Sequence, residues 1–179
     1  TVGDTYSGLE KVWYTVSAAG NVNTSETIEL LDNSRNRIQG NKTFSQVITV
    51  PASEYNSNDV KVQAFAQDFS GNKGNSDITE LKIDVTNPTV SVAWDLNNPS
   101  NGKYYKDTRT ATVTVTDRNF DANNVRFNIT NTDGTEANIS GWSSSSDMGI
   151  SDSAASICQV SFPADGDYTF TLCCTDLAG

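Results

Sequence analysis

The chain contains no histidine, and this absence excludes several kinds of site. A serine or cysteine nucleophile activated by histidine cannot be built, and the commonest metal-ligating side chain is missing. Positive charge is also scarce, with 12 basic against 22 acidic residues and a net charge of −10. Phosphate groups would be repelled, so we expect no nucleic-acid partner. No apolar run approaches the ~20 residues of a membrane helix, so we expect no membrane insertion.

Cysteine is rare as well, and the chain has three, Cys158, Cys173 and Cys174. They lack the paired C-x-x-C spacing typical of zinc sites. Strand alternation places Cys158 and Cys174 at inward positions on neighbouring strands and leaves Cys173 pointing outward. A disulfide between Cys158 and Cys174 would close a loop of ~15 residues and stabilise the fold by at most ~3 kcal/mol. The alternative, which stays open, is that both are small buried hydrophobic residues.

What the sequence does contain is a repeated strand pattern. In residues 165–179 (DGDYTFTLCCTDLAG) apolar and polar side chains alternate, and the same pattern occurs in residues 59–71 (DVKVQAFAQDFSG). A period of two is typical of a half-buried strand. Both copies end in Asp, two variable positions and Gly, which makes Asp68 and Asp176 equivalent. The sequence therefore predicts an all-β chain built from two copies of one unit.

The dipeptide Asn87-Pro88 marks the boundary between the copies, because proline stiffens a joint and removes a donor from a strand ladder. We predict one domain over residues 1–86 and a second over residues 87–179. When the copies are superposed, the first lacks N-terminal strands and the second lacks its last strand. We therefore expect both domains to be truncated at the chain ends, with unpaired strand edges, and the native protein to continue on both sides with further units.

Three local predictions follow from turn and strand residues. Residues 18–24 read as a polar loop around Gly20-Asn21, and residues 43–50 as a strand stopped by Pro51. The serine run at residues 143–146 reads as a flexible segment.

Several segments resemble one family, the bacterial immunoglobulin-like repeats of large Gram-positive cell-surface proteins, those of gut Firmicutes above all. The segments that carry the resemblance are NGKYYKDTRTATVTVTDRNFD (101–121), Trp142, DGDYTFTLCCTDLAG (165–179), DTYSGLEKVWYTVS (4–17) and IDVTNPTV (83–90). The resemblance implies two tandem Ig-like β-sandwich domains, both truncated at the chain ends. It also implies that Tyr168 is a corner tyrosine whose hydroxyl bonds to nearby backbone, although the first copy has Val60 in its place.

The same resemblance implies a cell-wall-anchored or secreted adhesin at the bacterial surface. Some proteins of this kind capture host immunoglobulin as B-cell superantigens, and others are stalks that carry enzymes or carbohydrate-binding modules. The partners it implies are a host extracellular protein, with immunoglobulin as the leading candidate, and neighbouring Ig-like repeats of the same chain.

Acidic residues near the domain joint suggest a calcium site. In an Ig-like sandwich the loops that carry Asp117, Asp121 and Asp176 would gather near Asp84 and Asn87. Oxygen ligands of this kind are those that Ca²⁺ prefers, and an ion there would stiffen the joint. The alternative is that Asp117 and Asp176 cap their own turns by accepting hydrogen bonds from backbone amides.

Trp13 and Phe65 are the candidate partner-binding residues. By alternation Trp13 points away from the core, at the position where the second copy has Arg126, and Phe65 lies on the neighbouring strand. Exposed aromatic side chains are common binding anchors. The alternative is that Trp13 packs under a loop such as residues 18–24 or against a neighbouring domain. Trp94 and Trp142 are expected in the core.

No catalytic residue emerges, because no pair of carboxylates stands out at a spacing suited to glycoside hydrolysis. We therefore expect no enzyme. The sequence favours a non-catalytic module that binds a host protein, with a structural stalk as the alternative. A carbohydrate-binding module is a further alternative, but such a face needs several coplanar exposed aromatic rings and the sequence supplies two.

Overall fold

The computed structural model describes residues 1–31, 42–95 and 104–179. They form two compact units, Thr1–Asp84 and Val85–Gly179, so the boundary falls two residues before the predicted one. The described residues are all-β, with antiparallel sheets, one 3₁₀ turn and no α-helix. None of them forms a helix with the length and apolar character that crossing a bilayer requires. The first three residues of the resembling segment 101–121 lie outside the described residues.

Unit 1 is organised around one antiparallel sheet. Its strands are β1 (Val2–Gly3), β2 (Leu9–Ala18), β3 (Asn21–Thr24), β4 (Ile28–Glu29), β5 (Thr43–Phe44), β6 (Ser57–Asp68), β7 (Lys73–Asn75) and β8 (Thr79–Ile83). The sheet order is β3-β2-β6-β7, with β4 also paired to β2 and β8 to β6, while β1 and β5 form a separate two-stranded sheet. The long strands β2 and β6 therefore form the centre of the unit.

The inner face of β2 and β6 forms the core of unit 1. Val12 pairs with Ala66 across the two strands, and Val16 pairs with Val62. Val12 and Val16 are buried, and Val60 is fully buried. The intervening residues point to the other face because strand side chains alternate. This alternation is the one read from the sequence.

Two of the local predictions for unit 1 are wrong in part. The segment 18–24 is not a loop throughout, because a two-residue turn at Ala19 (φ 49°) and Gly20 (φ 84°) leads into strand β3. Two successive positive φ values suit the twist of a tight hairpin. The predicted strand over residues 43–50 is limited to Thr43–Phe44, which pair with β1.

Unit 2 consists of two antiparallel sheets. Its strands are β9 (Thr89–Trp94), β10 (Arg109–Thr116), β11 (Val125–Asn131), β12 (Asn138–Ile139), β13 (Ser143–Ser144), β14 (Ala155–Phe162) and β15 (Tyr168–Cys174). One sheet has the order β12-β14-β10-β9, with β13 also paired to β14, and the other is β11-β15. The serine run is therefore partly a strand, and Ser144 Oγ lies 2.7 Å from Ser156 Oγ on β14.

The core of unit 2 lies between its two sheets, as in a β-sandwich. The larger sheet contributes the buried residues Ala111, Val113, Cys158, Val160 and Phe162. The smaller sheet packs against them with partly buried side chains that include Phe127, Phe170 and Leu172. Trp142 also packs against this cluster, as the sequence predicts.

The register of the strands makes the two units comparable residue by residue. In unit 1, Trp13 on β2 lies directly opposite Phe65 on β6. In unit 2, Arg126 on β11 lies directly opposite Cys173 on β15. The sequence comparison matches Trp13 to Arg126 and Phe65 to Cys173, so the strand register agrees with the repeat. The copies therefore differ in chemistry at a shared position.

Tyr168 does not form the corner that the resemblance implies. It is the first residue of β15, and its ring packs edge-on against Phe162 with centroids 5.0 Å apart. Its hydroxyl oxygen is buried and has no hydrogen-bond partner among the described residues. The ring is directed into the core, so the hydroxyl does not reach backbone near the turn.

Replacing Tyr168 with Phe should therefore raise the stability of unit 2. The change removes a buried hydroxyl that forms no hydrogen bond, and we expect a gain of about 1 kcal/mol in the free energy of unfolding, measured by urea titration. Tyr55→Phe is the matched control, because the Tyr55 hydroxyl accepts a 2.9 Å hydrogen bond from the Asn23 side chain, and that variant should lose stability. A similar loss of stability in Tyr168→Phe would contradict this prediction and would support the tyrosine corner, in which the hydroxyl bonds to backbone.

Candidate binding surface

The outer face of the unit 1 sheet carries a stacked aromatic pair. The Trp13 and Phe65 rings have centroids 5.4 Å apart and planes within 5° of parallel. Each ring lies on the face opposite the core because its strand neighbours, such as Val12 and Tyr14, point inward. Aromatic pairs directly opposite each other on antiparallel strands stabilise a sheet. Both side chains are half-buried, so part of each ring remains open to a partner.

A shallow depression lies beside the indole ring of Trp13. The residues that line it are Lys11, Trp13, Thr24, Thr27, Gln67 and Lys73. Thr24, which belongs to β3, lines the same depression as Trp13. Trp13 is half-buried, and the alternative in which it packs under a loop such as residues 18–24 or against a neighbouring domain stays a prediction.

The charge around this depression is mixed. No described residue forms an ion pair with Lys11 or Lys73. Glu29 is the register partner of Lys11, and Glu10 Oε2 accepts a 2.8 Å hydrogen bond from the side chain of Gln67. An aromatic centre with a polar, charged rim is the usual composition of a protein–protein contact. The depression thus offers apolar contact, hydroxyl groups and two ammonium groups to a ligand.

Unit 2 carries a second group of exposed aromatic side chains, which the sequence reasoning missed. Trp94 is 42% exposed, so its expected place in the core is wrong. Tyr105 is 43% and Tyr104 70% exposed. The reason is that Trp94 lies on β9, the edge strand of its sheet. In the sequence, the two consecutive tyrosines in a polar segment, Tyr104 and Tyr105, were the signal that could have indicated this cluster.

The buried Arg109 holds this cluster together. Its guanidinium carbon lies 4.1 Å from the centroid of the Tyr105 ring and 5.7 Å from that of Trp94. One guanidinium nitrogen pairs with a carboxylate oxygen of Asp95 at 2.6 Å. A guanidinium between aromatic faces gains from the ring quadrupoles as well as from the ion pair. These contacts give Arg109 a structural role.

Two of the predicted calcium ligands lie together within unit 2. Carboxylate oxygens of Asp117 and Asp176 are within 4.8 Å of each other, and both residues are buried. Each also caps its own turn. The Asn119 amide donates to Asp117 Oδ1 at 2.6 Å. The Ala178 and Gly179 amides donate to Asp176 Oδ1 at 2.7 and 2.8 Å.

Two aspartates of unit 1, Asp4 and Asp68, act in the same way. Asp4 Oδ2 accepts hydrogen bonds from the Tyr6 and Gly8 amides. Asp68 Oδ1 accepts them from the Ser70 and Asn72 amides. The Asn72 side chain, followed by other hydrogen bonds, lowers the pKa of Asp68 below its usual value. Turn capping is therefore what the repeated aspartates share.

Two of the remaining predicted ligands, Asp121 and Asn87, are placed differently. Asp121 caps the 3₁₀ turn at Ala122–Asn124, with the Asn123 amide 3.0 Å from its carboxylate. Asn87 is exposed, and Asp84 is the last residue of unit 1. The calcium site stays a prediction, which a thermal-shift titration with millimolar calcium would test.

The three cysteines are free thiols, so the disulfide between Cys158 and Cys174 is not formed in the structure. Cys158 is buried in the core, and its thiol donates to the Ser140 carbonyl oxygen at 3.5 Å. Cys173 is exposed. Burial, followed by the negative charges of Asp117 and Asp176 among nearby groups, raises the pKa of Cys174 above its usual value.

These environments predict an order of alkylation. Because the thiolate is the reactive form, we expect iodoacetamide in mildly alkaline buffer to modify Cys173 first and Cys174 more slowly. Cys158 should react only after unfolding in urea. Mass spectrometry of the digested protein would give the three rates. Recovery of a peptide that links Cys158 to Cys174 would contradict this order.

No protein-family model, curated protein or solved structure in the comparisons matches this chain. The resemblance to Ig-like repeats therefore stays a prediction.

Proposed function

We propose that this chain is a non-catalytic binding module of a bacterial surface protein, built from two Ig-like sandwiches, and that it binds a host extracellular protein. The observation that carries the proposal is the stacked Trp13–Phe65 pair on the outer face of the unit 1 sheet. Unit 2 has Arg126 and Cys173 at the same register position. A fold common to both units does not require aromatic rings there, which makes the pair in unit 1 a candidate for recognition as well as for cross-strand stabilisation.

The geometry of the pair favours a protein over a flat sugar. Rings that stack on each other use one face each for that contact and do not form a coplanar platform. What remains open is an aromatic ridge beside a depression with lysine and threonine side chains. Tryptophan at the centre of such a polar rim is the side chain most enriched among residues that dominate binding energy.

Immunoglobulin is the host protein that we propose as the ligand. Immunoglobulin is favoured because the sequence resembles repeats of gut bacterial surface proteins, some of which capture antibody. No reaction is assigned, because the chain has no histidine and the raised pKa of Cys174 makes that thiol a poor nucleophile at neutral pH.

The test is to immobilise the chain, pass human serum over it and identify what is retained by mass spectrometry. We expect immunoglobulin, eluted as a stoichiometric complex. The retained antibody should then be divided into Fab and Fc to find the bound half. Retention of no protein would favour the structural stalk. Retention of glycoproteins that is lost after enzymatic removal of their glycans would favour the carbohydrate-binding alternative.

A further inference from the structure

Lys11 and Lys73 lie in one row across the outer face of the unit 1 sheet. Gln67 on β6 is directly paired with Lys11 on β2 and with Lys73 on β7. Directly paired residues share a face, so both lysines are on the same side as Gln67, two strand spacings or about 10 Å apart. Both side chains are long enough for their ammonium groups to reach the space above Gln67. The row therefore places two positive charges around one spot on the sheet.

The next row of the same face holds the aromatic pair. Trp13 follows Lys11 by two positions on β2, and Phe65 precedes Gln67 by two on β6, so strand alternation places all four side chains together. The indole and both lysines line the same depression. Its volume of about 250 Å³ exceeds the ~150 Å³ of a cavity that binds benzene, so it has room for one side chain of a partner.

The described residues that line the depression include two bases and no acid. Glu10 lies beside it, and its Oε2 is 2.8 Å from Nε2 of Gln67. Glu29 is directly paired with Lys11 and shares its face, so it offsets part of that charge. Lys73 has no directly paired acid, because its partner is Gln67. Lys73 is therefore the stronger of the two anion-binding groups.

The charges beside the indole outweigh the net charge of the chain at this site. At physiological ionic strength exposed charges are largely screened beyond ~8 Å, so a ligand there experiences mainly the lysines and their close neighbours. The repeat does not require a cation in this row, since the match of Trp13 to Arg126 aligns Lys11 with Asn124. The lysines are thus candidates for recognition in unit 1.

We propose that the depression holds an acidic side chain of the bound protein. The carboxylate lies between the ammonium groups of Lys11 and Lys73, and its aliphatic stem packs against the indole of Trp13. The hydroxyl groups of Thr24 and Thr27, which also line the depression, donate to the carboxylate. An ion pair that loses water on binding contributes more than an exposed one. This assignment rests on the proposed function and names the chemistry that the Trp13 surface selects.

The first experiment uses a peptide and needs no serum protein. Acetyl-Leu-Glu-Leu-amide and the uncharged acetyl-Leu-Gln-Leu-amide are titrated separately into the whole isotope-labelled chain and followed by NMR. We expect the Glu peptide to shift the Trp13 indole signal and the Lys11 and Lys73 amide signals, and the Gln peptide to bind about fivefold more weakly. Equal binding of the two peptides, or no shift with either, would overturn the proposal.

The lysine variants locate the carboxylate in the same titration. Lys73→Met keeps the aliphatic stem and should abolish the difference between the two peptides. Lys82→Met is the matched control, because it removes the same charge from an exposed position on β8 outside the depression and should keep the difference. A difference that survives in Lys73→Met and disappears in Lys82→Met would place the carboxylate elsewhere on the sheet.

The second experiment separates this proposal from the proposed function. With the retained serum protein, Lys73→Met should raise the dissociation constant about tenfold, and Lys11→Met less, because Glu29 already offsets its charge. If Trp13→Ala weakens the complex and neither lysine variant does, the binding surface stands and the acidic side chain is wrong. If no serum protein is retained, the proposed function fails, and the peptide titration still decides whether a carboxylate is recognised. Loss of retention after sialidase treatment would assign the carboxylate to a glycan and overturn the protein side chain.

Discussion

Val113→Asp should unfold unit 2. Val113 lies in the middle of β10, is fully buried, and belongs to the cluster between the two sheets. An isolated carboxylate cannot be hydrated there, and the variant also loses the packing of the valine. We expect a loss of about 4 kcal/mol or more in the free energy of unfolding, which is a large part of the stability of a small domain. Urea titration followed by tryptophan fluorescence would measure it.

Thr114→Asp is the matched control for this substitution. Thr114 follows Val113 on the same strand, and alternation places it on the opposite, partly exposed face. The same charge should therefore cost less than about 1 kcal/mol there. Equal losses at the two positions would mean that the inner and outer faces of β10 are wrongly assigned.

Trp13→Ala should weaken the complex with the retained serum protein by about 30-fold or more, equivalent to about 2 kcal/mol. The indole lines the depression and stacks on Phe65, so its loss removes the aromatic ridge from the surface. Phe65→Ala should also weaken binding, because the remaining indole loses the ring that holds it. Calorimetric titration would give the dissociation constants.

Arg126→Ala is the control for the binding experiment. Arg126 occupies the position in unit 2 that corresponds to Trp13, and its guanidinium donates to the backbone carbonyl oxygens of Asn123 and Val125. We expect its dissociation constant to match that of the unaltered chain. If Arg126→Ala loses binding and Trp13→Ala does not, the binding surface lies on unit 2.

Alternation along the long strands was enough to predict which side of the sheet Trp13 and Phe65 would occupy. It works there because β2 and β6 are central strands, and one face of such a pair is buried by its own unit. The repeat supplied the register, since Trp13–Phe65 and Arg126–Cys173 are directly paired in their units. The turns that contain the aspartates could likewise be predicted from the sequence, because an aspartate caps backbone amides that follow it closely.

The errors came from contacts between residues distant in sequence. Trp94 has the alternation of a core residue, but whether an inward position is covered depends on the opposing sheet, which no local pattern reveals. Ser144 became part of a strand because Ser156 on β14 provides a partner. The guanidinium of Arg109 between Tyr105 and Trp94 likewise depends on tertiary geometry.

The most direct test of the proposed binding surface is hydroxyl-radical footprinting of the chain with and without the retained serum protein. Mass spectrometry would report the oxidation of each aromatic side chain. We predict that oxidation of Trp13 and Phe65 falls in the complex, while that of Trp94 and Tyr105 is unchanged. Protection of Trp94 and Tyr105, with Trp13 and Phe65 oxidised as in the free chain, would contradict it.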